Sequence, residues 1–366
     1  MKIRKQIIVA ILGIKGKYGR WLEVVLTKLG FAVIGSDVMD SPQATVAVNR
    51  AVVKQADVVI IAVPIRSVVS VIRSILPFVK PHALLMDITS VKGPAVRAML
   101  ESNEGVEVVG LHPMCAPPPS YIWRGQTVVV CEARLRRWRP WVKKFLRATE
   151  ARVKISVPAV HDKYAAVVQG LVHALALVMA TVIRTTGVDV GESLAYTSPL
   201  YRVLFYLMGR ILSQDGNLYG DIQMFNPHIL RVLRAFEKAF RRFRMMVERK
   251  SLEQFLTEFA ANRAHYGKEN LKAASDSFAS VISFIADLLH ENVVVVRAAK
   301  GNRPGALYKI LAPFKRAGID LVLLHSRKVG VEGFDFYMGM DQSRSSRLVV
   351  HAIKEVNAIP GVEVLK

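Results

Sequence analysis

The sequence predicts an α/β chain in three parts: a doubly wound parallel sheet, an all-helical stretch, and a small βαββαβ unit at the end. Three observations carry this. Short β-branched runs alternate with helix-length segments from residue 7 to 155; strand character then disappears from 157 to 290; and it returns, in a different rhythm, from 293 onward.

The first runs fall at 7–12, 31–36, 57–63, 83–89, 107–111, 127–130 and 152–155. They are apolar without alternation and helices separate them, which is how strands buried on both faces of a parallel sheet read. From 157 the pattern becomes long apolar-periodic stretches, broken at 187–191, 215–217 and 226–227. Helices apolar over so much of their surface need further burial, so a homodimer through this segment is expected. In the tail, 293–299 reads as a strand and GNRPG at 301–305 as a turn. Leu307, Ile310, Leu311 and Phe314 then form one helical stripe. Strands at 319–324 and 334–340, a helix at 343–357 and a strand at 362–365 complete a ferredoxin-like order. The expected domains are 1–156, 157–290 and 291–366.

Composition narrows the function classes. With 366 residues, 52% hydrophobic and 22% charged, the chain is neither disordered nor a small disulfide scaffold, and it has room for two or three cores. Cys115 and Cys131 allow at most one disulfide and fit no metal-ligand spacing, so a reducing compartment and no metal are expected. Lys and Arg number 51 against 29 Asp and Glu, a net charge of +22. Nucleic acid, anionic membrane and anionic small molecules are all candidate partners of such a surface. The basic segments 134–154 and 231–250 read more simply as solvated helix faces. The N-terminal stretch MKIRKQIIVAILGIKG imitates a secretory signal, but it lacks a small-residue cleavage site and runs straight into glycine turn chemistry. The longest helical apolar run, 171–183, falls short of the ~20 residues of a membrane span. A cytoplasmic protein without a membrane partner is the expectation.

The turn GIKGKYG at 13–19 follows the first strand and opens the first helix. Gly13, Gly16 and Gly19 thus sit where a pyrophosphate would meet bare backbone and a helix N-terminus, the Rossmann-type arrangement. The spacing departs from G-x-G-x-x-G, because Ile14 occupies the slot of the usual first glycine. Asp37, ending the second strand, can accept both hydroxyls of an adenosine ribose and repel a 2′-phosphate, which favours NAD over NADP. Ser90, Lys92 and His112 follow the fourth and fifth strand runs, gathering at the carboxyl edge where open α/β sheets bind ligands.

With these residues in place, the sequence resembles the prephenate dehydrogenases of tyrosine biosynthesis. The likeness rests on the nucleotide turn, on SVKG at 90–93 with GLHPM at 110–114, on Val160-His161-Asp162, and above all on SPLYRVLFYLMGRILSQDGNLYGDI at 198–222. It implies NAD-dependent oxidative decarboxylation of prephenate to 4-hydroxyphenylpyruvate, with His112 as catalytic base, Ser90 orienting it and Lys92 as the nearby cation. It further implies Arg210 on the ring carboxylate, His173 near the side-chain carboxylate, Tyr219 lining the pocket, and Val63 and Pro64 beside the cofactor. The family's usual aromatic, glycine and proline after HPM are replaced here by Cys115, Ala116 and three prolines, 117–119. Arg202 would lie ~12 Å from Arg210 along one helix and about 80° around it, so it is expected to be structural.

The tail resembles an ACT domain of the prephenate dehydratase kind through GALYKILAPFKRAGIDLVLLHSR at 305–327. That likeness implies an aromatic amino-acid effector at Gly305, Ala306, Leu307, Ser326 and Arg327. Two other functions compete: arogenate dehydrogenase, and a nucleic-acid or amino-acid sensor on a dehydrogenase scaffold. The joint presence of Asp37, Ser90, His112 and Arg210 speaks against the sensor, and nucleic acid is not the expected partner.

Overall fold

The computed structural model describes residues 6–40, 42, 45–289, 292–299, 305–329 and 333–365. They fall into two compact units, Met1–Arg242 and Phe243–Lys366.

The first unit begins with β1 (Ile8–Leu12), α1 (Lys17–Lys28), β2 (Ala32–Ser36), α2 (Thr45–Gln55), β3 (Val58–Ile61), α3 (Ile65–Ile75), β4 (Leu84–Asp87), α4 (Lys92–Leu100), β5 (Glu107–Pro113), β6 (Thr127–Arg134), α5 (Arg139–Ala148) and β7 (Arg152–Ser156). Every strand run expected from sequence forms one of these strands. They make one sheet of order β2-β1-β3-β4-β5-β6-β7. Buried cores lie on both faces: one gathers Ile11, Leu22, Met86, Trp123 and Phe145, the other Leu12, Ile61, Ile72, Leu85 and Met99. The expectation of an all-parallel sheet needs correction at two strands, because β6 runs antiparallel to β5, with His112 paired to Val129, and β7, parallel to β6, shares its reversed direction. Residues 114–126 between them contain no helix. A helical crossover is what normally returns a chain parallel, and here the chain turns back along its neighbour instead.

From Pro158 the chain is helical: α6 (Pro158–Ala165), a π-helical turn (Ala166–Leu171), α7 (Val172–Thr185), α8 (Val190–Ser193), α9 (Pro199–Leu212), α10 (Gly216–Phe225) and α11 (Ile229–Glu248). Ser198 and Asp215 cap α9 and α10 through side-chain oxygens, which explains why the helices start there. The stretch Pro158–Thr185 is continuous helix, 28 residues long, and by length and composition apolar enough to cross a membrane. The shorter run read from the sequence understated this, because the π turn joins two helices into one. His161 and Asp162, in its first turns, are buried against the sheet domain. Its exposed Val167, Val168, Val178 and Val182 are the apolar surface expected to seek a second copy.

The second unit contains α12 (Leu252–Tyr266) and α13 (Lys268–Leu289), then β8 (Val293–Ala298), α14 (Ala306–Arg316), β9 (Leu321–Val329), β10 (Gly333–Met340), α15 (Arg347–Asn357) and β11 (Val362–Val364). Its sheet, β11-β8-β10-β9, is antiparallel throughout, and α14 and α15 pack on its core through Ile310, Phe314, Val349 and Val356. This is the βαββαβ unit read from the sequence. Most of the expected 301–305 turn lies outside the described residues; Gly305 alone of it is described.

Candidate active site

The nucleotide turn is built as its glycines require. Gly13 has φ +88°, and a Cβ there would lie 2.6 Å from the Ala62 carbonyl oxygen. A Cβ on Gly19 would lie 2.1 Å from the Gly13 oxygen. Gly16 is the N-cap of α1, with no side-chain cap and no acidic residue in the first turn. The N–H groups opening α1 are thus left for an anion, and the site fits a dinucleotide pyrophosphate. Asp37 stands beside this turn, its carboxylate accepting hydrogen bonds from Lys15 N at 2.9 Å and Met39 N at 3.0 Å. Val63 packs near Gly13, and Pro64 is the N-cap of α3. Residues 115–119 reach back to α1: Tyr18 donates to the Cys115 carbonyl at 2.6 Å and Trp21 to that of Pro118 at 3.1 Å.

His112 is in the penultimate position of β5 and only 2% exposed. Its Nδ1 lies 2.8 Å from Nε2 of His161, whose own Nδ1 lies 2.8 Å from Oδ1 of Asp162. Asp162 in turn accepts from the backbone N–H groups of Lys92 and Gly93, each at 2.8 Å, and so caps α4 from a distant element. Glycine is required at 93 because a Cβ there would lie 2.8 Å from Asp162 Oδ2. Burial holds the His112 imidazole well below its ordinary pKa, with His161 and Lys92 adding to the effect. Burial pushes the Asp162 carboxyl up, but the hydrogen bonds from His161, Lys92 and Gly93 outweigh it and leave the group below the usual carboxylate range.

The partner on His112 Nδ1 is therefore His161, where the family likeness implied Ser90. Ser90 sits half-buried just after β4, and no hydrogen bond between it and His112 occurs among the described residues. Lys92 is a cation near His112, as the likeness implied: it lowers the imidazole's pKa, is fully buried, is paired with Asp87, and donates to the Leu111 carbonyl at 2.7 Å. A cation so enclosed cannot touch a substrate. It acts through its field and by fixing the strand that carries His112.

Around the other part of the site, the His173 and Tyr219 rings meet edge to face at 4.7 Å. Burial lowers the His173 pKa, and its buried Nδ1 has no hydrogen bond among the described residues. Burial raises the Tyr219 phenol, against the pull of the nearby Arg210. Arg210, in the last turn of α9, is exposed and forms no ion pair among the described residues, which suits a guanidinium kept for an anion. Gln169, in the π turn, also holds a buried oxygen without a partner. Arg66, opening α3, ties these helices to the sheet domain by bonding Asp221 at 2.8 Å and Asn217 at 2.9 Å, while Asn226 donates to the Asp162 carbonyl at 2.9 Å within the helical segment. Arg66, Gln169 and Asp221 were not singled out from sequence; the alternation of His161, Gln169 and His173 along one apolar helix was the signal for Gln169.

In the second unit, Gly305 is the N-cap of α14 with φ +87°, Ala306 opens that helix, and Leu307 packs on the core. Ser326 and Arg327 lie inside β9, opposite Phe336 and Asp335. Arg327 pairs with Asp335, which Arg297 also holds.

Comparison with known proteins bears on the family and the fold. Residues 42–155 match the family model "Prephenate dehydrogenase, nucleotide-binding domain" and residues 157–261 match "Prephenate dehydrogenase, dimerization domain". The "Probable arogenate/prephenate dehydrogenase" of Methanocaldococcus jannaschii is 31% identical over 300 residues, 78% of this chain and 67% of that protein. The "T-protein" of Enterobacter agglomerans is 31% identical over 251 residues, 69% of this chain and 65% of that protein. The chain thus spans about two thirds of these curated relatives. Among solved structures, the prephenate dehydrogenase of Aquifex aeolicus in complex with hydroxyphenyl propionate and NAD+ shares the fold, with a TM-score of 0.56 at 20% identity over 73% of this chain and all of that one. With both parts of the chain matched in order by the two models, and a relative 31% identical over two thirds of its own length, the chain belongs to the prephenate dehydrogenase family of oxidoreductases.

Proposed function

We propose that the protein uses NAD to oxidise and decarboxylate prephenate, giving 4-hydroxyphenylpyruvate and carbon dioxide. The observation that carries this is His112, a buried imidazole held well below its ordinary pKa at the carboxyl edge of the sheet, with an exposed arginine, Arg210, that forms no ion pair among the described residues on the helices tied to that edge. Bound NAD supplies the hydride acceptor. His112 takes the proton of the carbinol hydroxyl as that carbon becomes carbonyl-like, and returns it to the phenol oxygen once the ring is aromatic. Arg210 holds the ring carboxylate, and His173 and Tyr219 define the far wall of the pocket. A base kept below the ordinary imidazole pKa stays neutral as the pH falls through 6.5, so kcat/KM should hold there and decline only at lower pH.

Arogenate is the second reading, and Gln169 favours it: an amide oxygen buried without a donor would welcome the ammonium that arogenate carries in place of a keto group. Following reduced nicotinamide by absorbance with each substrate and each cofactor decides the matter. Turnover with arogenate alone overturns the prephenate reading, and turnover with neither overturns both. In the same assay Asp37→Ser should narrow the preference for NAD over NADP, chiefly by weakening NAD. A wild-type preference for NADP would exclude the role given to Asp37.

For the ferredoxin-like unit we infer amino-acid control, in a cytoplasmic homodimer built on the helical segment. The support is the left-handed Gly305 at the start of α14 and the likeness of 305–327 to ACT domains. Tyrosine and phenylalanine are the candidate effectors. Gly305→Val should leave basal turnover within a few-fold and remove the response to one of them. Inhibition by tyrosine that survives this change would place the feedback in the catalytic pocket instead, as direct competition at Arg210 and His112.

A further inference from the structure

With His161 neutral, the proton inventory of the His112, His161 and Asp162 chain follows from its carboxylate end. An ionised carboxylate can only accept, so Asp162 Oδ1 must receive a proton from His161 Nδ1. A neutral His161 protonated on Nδ1 carries a lone pair on Nε2. The 2.8 Å contact to His112 then requires that His112 Nδ1 be the donor. His112 is left with its lone pair on Nε2, the nitrogen that makes no hydrogen bond among the described residues.

We propose that His161 and Asp162 are positioning residues for the reaction: they fix the tautomer of His112 so that Nε2 is the base, and they carry the charge that arrives when it is protonated. This rests on the reading of His112 as the proton acceptor. When the substrate hydroxyl gives its proton to Nε2, the proton on Nδ1 can pass to His161 Nε2. The cation then lies on His161, in contact with the Asp162 carboxylate. No net proton is gained or lost, and the return of the proton to the phenol oxygen reverses each transfer.

The other groups facing this chain leave Asp162 as the balancing anion. Lys92 on α4 and Asp87 at the end of β4 neutralise each other. On β6, opposite Gly110, burial pushes the Cys131 thiol up to about 12, so it stays uncharged. Asp162 itself cannot drift, because α4 holds both its oxygens. The arrangement also accounts for a base that is almost wholly buried: burial alone would make His112 a poor proton acceptor, and a relay to an anion offsets that.

Nitrogen NMR of the imidazoles in the intact enzyme tests the first half without any substitution. His112 should be protonated on Nδ1 and bare on Nε2; the opposite tautomer overturns the proposal. The second half is tested with His161→Gln, which keeps an oxygen able to accept from His112 but cannot take a proton, and which leaves the Asp162 contacts to α4 alone. With prephenate and NAD, kcat should fall roughly 10- to 10³-fold and KM should change by less than about 3-fold. Asp162→Asn, which removes the balancing anion, should move the acid limb of the kcat profile to lower pH. A merely structural role would alter KM or thermal stability and leave the limb in place, and that result overturns the relay. If His112→Asn itself retained turnover, the underlying reading of the base would fail instead, so the two failures are told apart.

Discussion

Replacing His112 by Asn should lower turnover by roughly 10²–10⁴, the usual worth of a general base, while leaving NAD and prephenate binding intact. Asn places an amide near where Nδ1 now sits, so the contact to His161 can persist and the fold has no reason to yield. What disappears is the lone pair on Nε2. Single-turnover kinetics alongside fluorescence titration of NAD separates the two effects; turnover within a few-fold of wild type would remove His112 from the chemistry.

Arg210→Gln should act on the other term. A bidentate guanidinium–carboxylate pair contributes about 1.5–3 kcal/mol through its charged hydrogen bonds, so prephenate should bind roughly 10- to 100-fold more weakly. NAD affinity should not change, because Arg210 belongs to α9 and the nucleotide turn to α1. Isothermal titration with each ligand reads this directly. An equal loss of NAD affinity would show that Arg210 supports the fold and not the substrate.

The sheet domain was legible because buried parallel strands announce themselves as unbroken apolar runs, and GIKGKYG can do little except turn a chain tightly before a helix. The ferredoxin-like order was legible for a similar reason, since Leu307, Ile310, Leu311 and Phe314 leave one helical face and no other. The direction of β6 was not, because strand direction depends on what the connection does in space and 114–126 offers no periodicity. Ser90 and Lys92 illustrate a different limit. Both were placed at the correct edge, but the sequence does not say that Lys92 points inward to Asp87, nor that His161, 49 residues further on, would reach Nδ1 of His112 first. Contacts between segments so far apart are decided by how α6 docks, which Asp162 controls through α4.

The π turn at 166–171 has a bearing on how this pocket tolerates change in length. A helix advances about 100° per residue, so one residue more or less between Asp162 and His173 rotates everything downstream by that angle. The wide turn absorbs such a residue locally, and its freed backbone is taken up where Gln223 donates to the Gly170 carbonyl at 2.7 Å. His161 can then face His112 while His173, on the same continuous rod, faces Tyr219. Deleting Val167 or Val168 would close the wide turn into regular helix and leave His173 facing Tyr219. Substitutions along this helix are therefore a local matter, whereas a single insertion or deletion outside the wide turn re-aims the whole far wall.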